Sequence, residues 1–116
     1  MSFEEHIIEA VKAVMPKMAK VQVVQGVDAL NIAASWRLHD DPDRPNKMSR
    51  TISICVSLEA VQDFSSASGA DQAAAYGRLA AFLSAKLAAF DPQHNAPKYD
   101  PPPVEQWVIT SAIVLA

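Results

Sequence analysis

The sequence predicts a single α+β domain, with a mostly antiparallel four-stranded sheet and two main helices packed on one face. Apolar residues recur every three or four positions in 3–18 and 71–90, which is the period of a helix. They alternate with small or polar residues in 29–38 and 50–58, which is the period of a strand with one buried face. No internal repeat or change of composition divides 1–116, so one domain with the order α-β-β-β-α-α-β is expected.

The first helix is predicted to begin at a capping box formed by Ser2 and Glu5. Pro16 lacks a backbone N–H, so the helix should end near Met15. Its core-facing stripe is predicted to consist of Phe3, Ile7, Ile8, Val11, Val14, Met15 and Met18.

The first two strands are predicted to form a hairpin. A β-branched run at 21–25 is followed by the turn residues Gly26–Asp28 and by the alternating strand at 29–38. The outward side chains of this second strand are Ala29, Asn31, Ala33, Ser35 and Arg37. A third strand at 50–58 follows a polar loop, and its outward side chains are Thr51, Ser53, Cys55 and Ser57.

Two helices are predicted after the third strand. Ser57 should cap a short helix that runs through Phe64, because a serine hydroxyl accepts a bond from a free N–H of the first turn. The segment 65–70 is rich in helix breakers and should separate the two helices. Asp71 is expected to cap the long helix, and Asp91–Pro92 to end it.

The segment 91–103, named the strap below, is predicted to be extended because it ends in three consecutive prolines. Residues 105–115 are apolar on nearly both faces, so they are predicted to form a buried or covered last strand. A strand that returns after a helical crossover should lie parallel to its neighbour.

The composition argues against several classes of protein. With a net charge of −3, the chain has no general attraction for nucleic acid or for anionic membranes. A single cysteine allows neither an intramolecular disulfide nor a zinc site built on cysteines. The three glycines form no phosphate-binding motif, and no cofactor is expected. The acidic start and the short apolar run at 107–116 match neither a signal peptide nor a membrane span, so a cytoplasmic protein is expected.

The order α-β-β-β-α is similar to that of double-stranded-RNA-binding domains, and small acidic chaperones of bacterial secretion systems begin with the same elements. Double-stranded-RNA-binding domains carry a basic cluster at the start of their last helix, where this chain has 71–75, DQAAA. The chaperones continue through two more strands and a third helix. The similarity therefore covers the order of elements and no functional motif.

The most charged segment is the loop region 37–50. One interpretation is a binding site for a phosphate, an acidic partner or a nucleic acid, formed by the cations Arg37, Arg44, Lys47 and Arg50. A second interpretation is a metal site, with ligands from His39, Asp40, Asp41 and Asp43, although their spacing matches no EF-hand. We favour a third interpretation, in which opposite charges of the loop pair with one another in water, at about 0–1 kcal/mol a pair.

No catalytic arrangement is evident in the sequence. Nothing pairs His6, His39 or His94 with a nucleophile or a carboxylate, so exposed histidines are expected. Cys55 lies in the middle of a strand without a catalytic motif around it, which favours a packed structural cysteine. An enzyme or a ligand-binding domain, with a pocket between helices and sheet, is therefore the third and least supported hypothesis.

The most informative feature is the small size of the outward side chains on the second and third strands. A solvated sheet face usually carries longer charged or β-branched side chains. The predicted interaction face consists of Ala33, Ser35, Ser53, Cys55 and Ser57. The leading hypothesis is a non-enzymatic protein-interaction module that acts through this face or through a sheet edge, with a second copy or another protein. The alternative is that the strap covers this face.

Overall fold

The computed structural model of the chain describes residues 3–25, 29–39, 42–97 and 99–115. The elements are α1 (Phe3–Val14), β1 (Lys20–Gln25), β2 (Ala29–Ser35), β3 (Thr51–Ser57), α2 (Leu58–Ser66), α3 (Gly69–Ala88), β4 (Val104–Ile109) and α4 (Ser111–Leu115). The predicted order is confirmed, and α4 extends it by one short helix. The predicted capping residue Ser2 and the hairpin turn Gly26–Asp28 lie outside the described residues.

The four strands form one mixed sheet in the order β1-β2-β3-β4. The pairs β1–β2 and β2–β3 are antiparallel, and β3–β4 is parallel. The parallel pair follows from the connection, because α2 and α3 carry the chain from one end of β3 back to the other before β4 begins. The predicted parallel placement of the last strand is confirmed.

The hydrophobic core lies between one face of the sheet and the helices. β2 and β3 bury alternate residues, as their sequence pattern predicts. The strands contribute Ile32, Ala34, Ile52, Ile54, Val56, Trp107 and Ile109. The helices contribute Phe3, Ile7, Val11, Ala60, Phe64, Ala75, Leu79, Leu83 and Val114. Met18 was expected on the stripe of α1, but it lies beyond the end of that helix and is 61% exposed.

Ser57 caps α2 as predicted. Its hydroxyl oxygen accepts a hydrogen bond from the backbone N–H of Ala60 at 3.1 Å. The helix continues past Phe64 to Ser66 and ends at Ala67, which has extended backbone angles and donates its N–H to the Phe64 carbonyl.

The cap of α3 differs from the prediction. Ser68, not Asp71, is the N-cap residue, and its hydroxyl accepts a hydrogen bond from the Asp71 N–H at 3.2 Å. Asp71 therefore lies in the first turn, where a carboxylate favours the positive end of the helix dipole. The predicted break at 65–70 is reduced to the two residues 67–68.

The last strand is shorter and more exposed than predicted. β4 ends at Ile109, whereas the prediction carried the strand through Leu115. Trp107 and Ile109 are buried, but Val108 between them is 49% exposed. The prediction of a strand covered on both faces is therefore wrong, because β4 lies at the edge of the sheet and only its helix-facing side packs.

The residues beyond β4 turn back as α4 instead of extending the strand. Val114 is buried in the core. The guanidinium of Arg78 on α3 donates to the carbonyl oxygen of Ile113 at 2.7 Å and also to that of Val114. These bonds satisfy carbonyl groups that the end of a helix leaves without an internal partner.

Phe90 follows α3 and packs between parts of the chain that are distant in sequence. Its ring makes edge contacts with Trp36 and Trp107, at centroid distances of 5.7 and 6.1 Å. The Arg50 guanidinium lies over the same ring at 5.3 Å. The indole N–H of Trp107 donates to Glu105 at 2.8 Å, and the other oxygen of that carboxylate is 3.5 Å from Arg50. These five residues are named the aromatic cluster below.

Ser49 closes the loop between β2 and β3 and is completely buried. Its hydroxyl oxygen accepts a hydrogen bond from the Trp36 N–H at 3.0 Å, and the hydroxyl donates to the Arg50 carbonyl at 3.0 Å. The Ser49 N–H in turn donates to the Trp36 carbonyl at 2.7 Å. The loop is therefore fixed at its base by a polar side chain with both hydrogen-bonding roles satisfied.

Candidate functional site

The candidate site is the side of the sheet that points away from the helices, named the outer face below. The strand registers place on it Lys20, Gln22, Val24, Ala29, Asn31, Ala33, Ser35, Thr51, Ser53, Cys55, Ser57, Val104, Gln106 and Val108. None of these residues is buried, whereas the alternate positions of β2 and β3 lie in the core. The set contains no carboxylate, and Lys20 is its one charged member.

The predicted interaction face forms the centre of the outer face. Ala33 lies opposite Ser53, and Asn31 lies opposite Cys55. These side chains and that of Ser35 are half-buried, because they are short and neighbouring strands flank them. The structure therefore brings together four of the predicted residues on the outer face of β2 and β3. The fifth, Ser57, shares the face by register, but its hydroxyl is engaged as the cap of α2.

Exposed valines frame this centre on both edge strands. The exposed fractions are 55% for Val24, 63% for Val104 and 49% for Val108. Sequence reasoning missed Val104 and Val108 because it treated β4 as covered on both sides, and it assigned no outward face to the strand that contains Val24. The alternation of Val104, Gln106 and Val108 with inward-facing residues is the signal that identifies them.

The strap is held at the end of the sheet where β3 begins. The Arg50 N–H donates to the Pro92 carbonyl at 3.0 Å, and the Thr51 N–H donates to the Pro103 carbonyl at 3.1 Å. These bonds place the strap beside the loop that leads into β3. The outer-face residues remain exposed or half-buried, so the alternative of a covering strap does not hold for the described part of the chain.

The cations proposed for anion binding have different neighbours in the structure. The Arg50 guanidinium donates to the Asp91 carbonyl at 3.0 Å and is held in the aromatic cluster. The Lys47 ammonium donates to the side-chain oxygen of Gln93 at 3.3 Å. Arg44 lies in a small groove for which the described lining residues are 43–47. The hydrogen bonds of Arg50 and Lys47 anchor the loop to the strap.

Arg37 instead lies near Lys20 and Ser35 of the β1–β2 hairpin. It pairs with Met48 through a single β-bridge. An open groove of about 380 Å³ lies beside it and is lined by Met18, Lys20, Ser35, Trp36, Arg37, His39 and Met48. Lys20 and Arg37 are distant in sequence but adjacent in space, because β1 pairs with β2. This outer-face groove, as it is named below, was not predicted from the sequence.

Two of the three histidines are packed, contrary to expectation. The His6 ring lies 4.3 Å from the ring of Tyr76, and burial raises the pKa of Tyr76. The His94 Nδ1 accepts a hydrogen bond from the Ala96 N–H at 3.1 Å, so its Nε2 carries the proton donated to the Met48 carbonyl at 2.8 Å. His94 therefore fastens the strap to the loop.

The proposed metal ligands Asp40 and Asp41 lie outside the described residues, and His39 is exposed. Among the residues that the structure describes, no three His, Cys, Asp or Glu side chains are grouped so that they could hold a metal ion. Cys55 is a free, half-buried thiol on the outer face.

The comparisons with known proteins do not indicate a function, so the outer face is the main basis for proposing one. No family model, curated protein or solved structure matches the chain. Within the described ranges, no helix combines the length and apolar character needed to cross a membrane.

Proposed function

We propose that the chain is a protein-interaction module whose outer face packs against the outer face of a second copy. The observation that carries this proposal is a complete sheet face without carboxylates, on which none of the described residues is buried. Small side chains in the centre permit close approach, and exposed valines at both edges add apolar area. A sheet face adapted to water alone usually carries more charge.

The geometry of such a pair follows from ordinary sheet packing. Two sheets stack about 10 Å apart with their strands rotated by about 30°. At that spacing the short side chains of Ala33, Ser53 and Cys55 would meet their counterparts near a two-fold axis. Longer side chains at these positions would hold the sheets apart.

The positive end of the outer face favours one orientation of the pair. Lys20 lies at the start of β1, and Arg37 lies beyond the adjacent end of β2. A two-fold axis perpendicular to the strands places this end opposite the other end of the partner sheet, so the cations stay apart. A parallel arrangement would bring like charges together at the cost of electrostatic repulsion.

The size of the face limits the expected affinity. Four strands about 4.8 Å apart and six residues at about 3.3 Å each give a footprint of roughly 400 Å² per copy. Stable complexes usually bury about 800 Å² per partner. The proposed dimer should therefore be weak, with a dissociation constant in the micromolar range or above.

The test is sedimentation velocity of the wild-type chain and of Ser53→Lys, from about 5 to about 500 µM protein. The wild type should convert from monomer to dimer over this range. Ser53→Lys should stay monomeric, because two ammonium groups would enter a closely packed centre. Ser84→Lys is the matched control, since Ser84 is exposed on α3 and lies off the sheet.

Two outcomes would contradict the proposal. A wild-type chain that stays monomeric at the highest concentration would remove self-association. Equal dimerisation of Ser53→Lys and Ser84→Lys would place the contact elsewhere on the molecule. Circular dichroism and melting curves of both variants establish that each is folded.

A further inference from the structure

We propose that the free edge of β1 binds an extended acidic segment of a partner protein by strand addition. β1 is the terminal strand of the described sheet, so one row of its backbone N–H and C=O groups has no strand partner there. Gln22, Val23 and Val24 are all exposed, which shows that this edge is accessible. An added strand would gain main-chain hydrogen bonds along this row.

Two grooves flank the start of this edge, at Lys20 and Val21, one on each side of the sheet. The helix-side groove has a volume of about 370 Å³ and is lined by Lys12, Met15, Pro16, Lys17, Ala19 and Val21. The outer-face groove, on the opposite side, contains Lys20 and Arg37. Each groove combines two cations with methionine side chains.

The described residues that line the two grooves carry charge of one sign. Among them there is no aspartate or glutamate. In the described ranges, none of the four cations forms an ion pair with a carboxylate. This concentration of positive charge contrasts with the net charge of −3 of the whole chain. Charge complementarity therefore favours an acidic occupant.

The positions of the two grooves, on opposite sides of the sheet, favour an occupant with an extended conformation. Successive side chains of an added strand point to opposite faces of the sheet. One set would lie near Lys12 and Lys17 on the helix side, and the alternate set near Lys20 and Arg37 on the outer face. β1 has six residues, so the matching segment is about six residues, or roughly 20 Å, long.

The other edge of the sheet offers a less suitable surface for this occupant. β4 follows the proline run 101–103, and Glu105 lies within the strand. A carboxylate at this edge would repel an acidic segment. The proposal therefore concerns β1 alone, and it does not rest on self-association through the outer face.

The binding test uses a blocked eight-residue peptide in which pairs of glutamates alternate with pairs of valines, so that carboxylates lie on both faces of the strand. Its lysine–valine counterpart is the charge control. Calorimetry at about 50 and about 500 mM salt should show binding of the acidic peptide that weakens with salt. Lys17→Glu combined with Lys20→Glu should weaken binding at least tenfold, because one exposed ion pair contributes up to about fivefold and reversal adds repulsion. Lys86→Glu is the control, since Lys86 lies on α3 and lines neither groove.

Hydrogen exchange tests strand addition itself. The acidic peptide should slow exchange of β1 amides and leave β4 amides unchanged. N-methylation of alternate peptide residues should abolish binding in one register and spare it in the other, because only every second N–H of an edge strand points toward its neighbour. A Ser53→Lys chain should bind the peptide as the wild type does, which separates this proposal from self-association.

Several results would overturn the β1 proposal. Calorimetry would show no binding of the acidic peptide at low salt, or Lys86→Glu would weaken binding as much as the double variant. Hydrogen exchange would show protection of β4 amides instead of β1 amides, or N-methylation would leave binding unchanged in both registers. Protection of β1 that rises with protein concentration in the absence of peptide would identify a second copy as the occupant and would also overturn it.

Discussion

Replacing Phe90 with alanine should destabilise the domain by about 2–4 kcal/mol. Two aromatic pairs, with Trp36 and Trp107, contribute about 0.5–1.5 kcal/mol each beyond the burial of their area. The Arg50 guanidinium over the ring adds about 0.5–1 kcal/mol at an exposed site. Fully buried phenylalanines typically lose about 3–5 kcal/mol on replacement by alanine. Because Phe90 is only half-buried, its loss of stability should lie near or below the lower end of that range.

The assay for Phe90→Ala is urea unfolding followed by tryptophan fluorescence. Trp36 and Trp107 are the two tryptophans of the chain, and both contact Phe90, so the signal comes from the altered region. The expected loss of stability should lower the melting temperature by roughly 10 °C for a domain of this size. Phe90→Leu is the matched control, because it keeps most apolar volume but removes the ring contacts, and it should lose about 1–2 kcal/mol.

A loss below about 1 kcal/mol for Phe90→Ala would refute the packing described for the aromatic cluster. A loss near zero for Phe90→Leu would show that the ring contacts with Arg50 and the tryptophans contribute little.

Two further substitutions test the loop and the last helix. Ser49→Ala should cost about 1–3 kcal/mol in urea unfolding, because it leaves the buried Trp36 N–H without its side-chain acceptor; a loss near zero would contradict that role. Arg78→Met should speed hydrogen exchange within 111–115 and leave the sheet amides unchanged, because α4 loses the donor to its last carbonyl groups; unchanged exchange in α4 would show that Val114 packing alone holds it.

The order of elements was predictable because each long element has a clear hydrophobic period. The alternation in β2 and β3 fixed which side chains face outward, and the cap at Ser57 followed from local chemistry. The end of β4 was not predictable in this way. Residues 111–115 are as apolar as a strand, and they form a helix because Val114 packs in the core and Arg78 binds the helix end.

The site was predictable in its centre and not at its margins. The small side chains of Ser53 and Cys55 are a local signal, since strand alternation alone places them on one face. The grouping of Lys20 with Arg37 depends on the register of the predicted hairpin, which places Lys20 opposite Ser35, and this register was not predicted. Arg50 was grouped with the loop cations by proximity in sequence, whereas its partners Phe90 and Glu105 come from later elements.

Pairing of outer faces is tested most directly by the reactivity of Cys55. It is the one cysteine of the chain, and it lies half-buried opposite Asn31 near the proposed two-fold axis. Its rate of reaction with a thiol reagent, measured between about 5 and about 500 µM protein, should fall as dimer forms, and Ser53→Lys should abolish that fall. A rate that stays constant over this range in the wild type would contradict the proposed association.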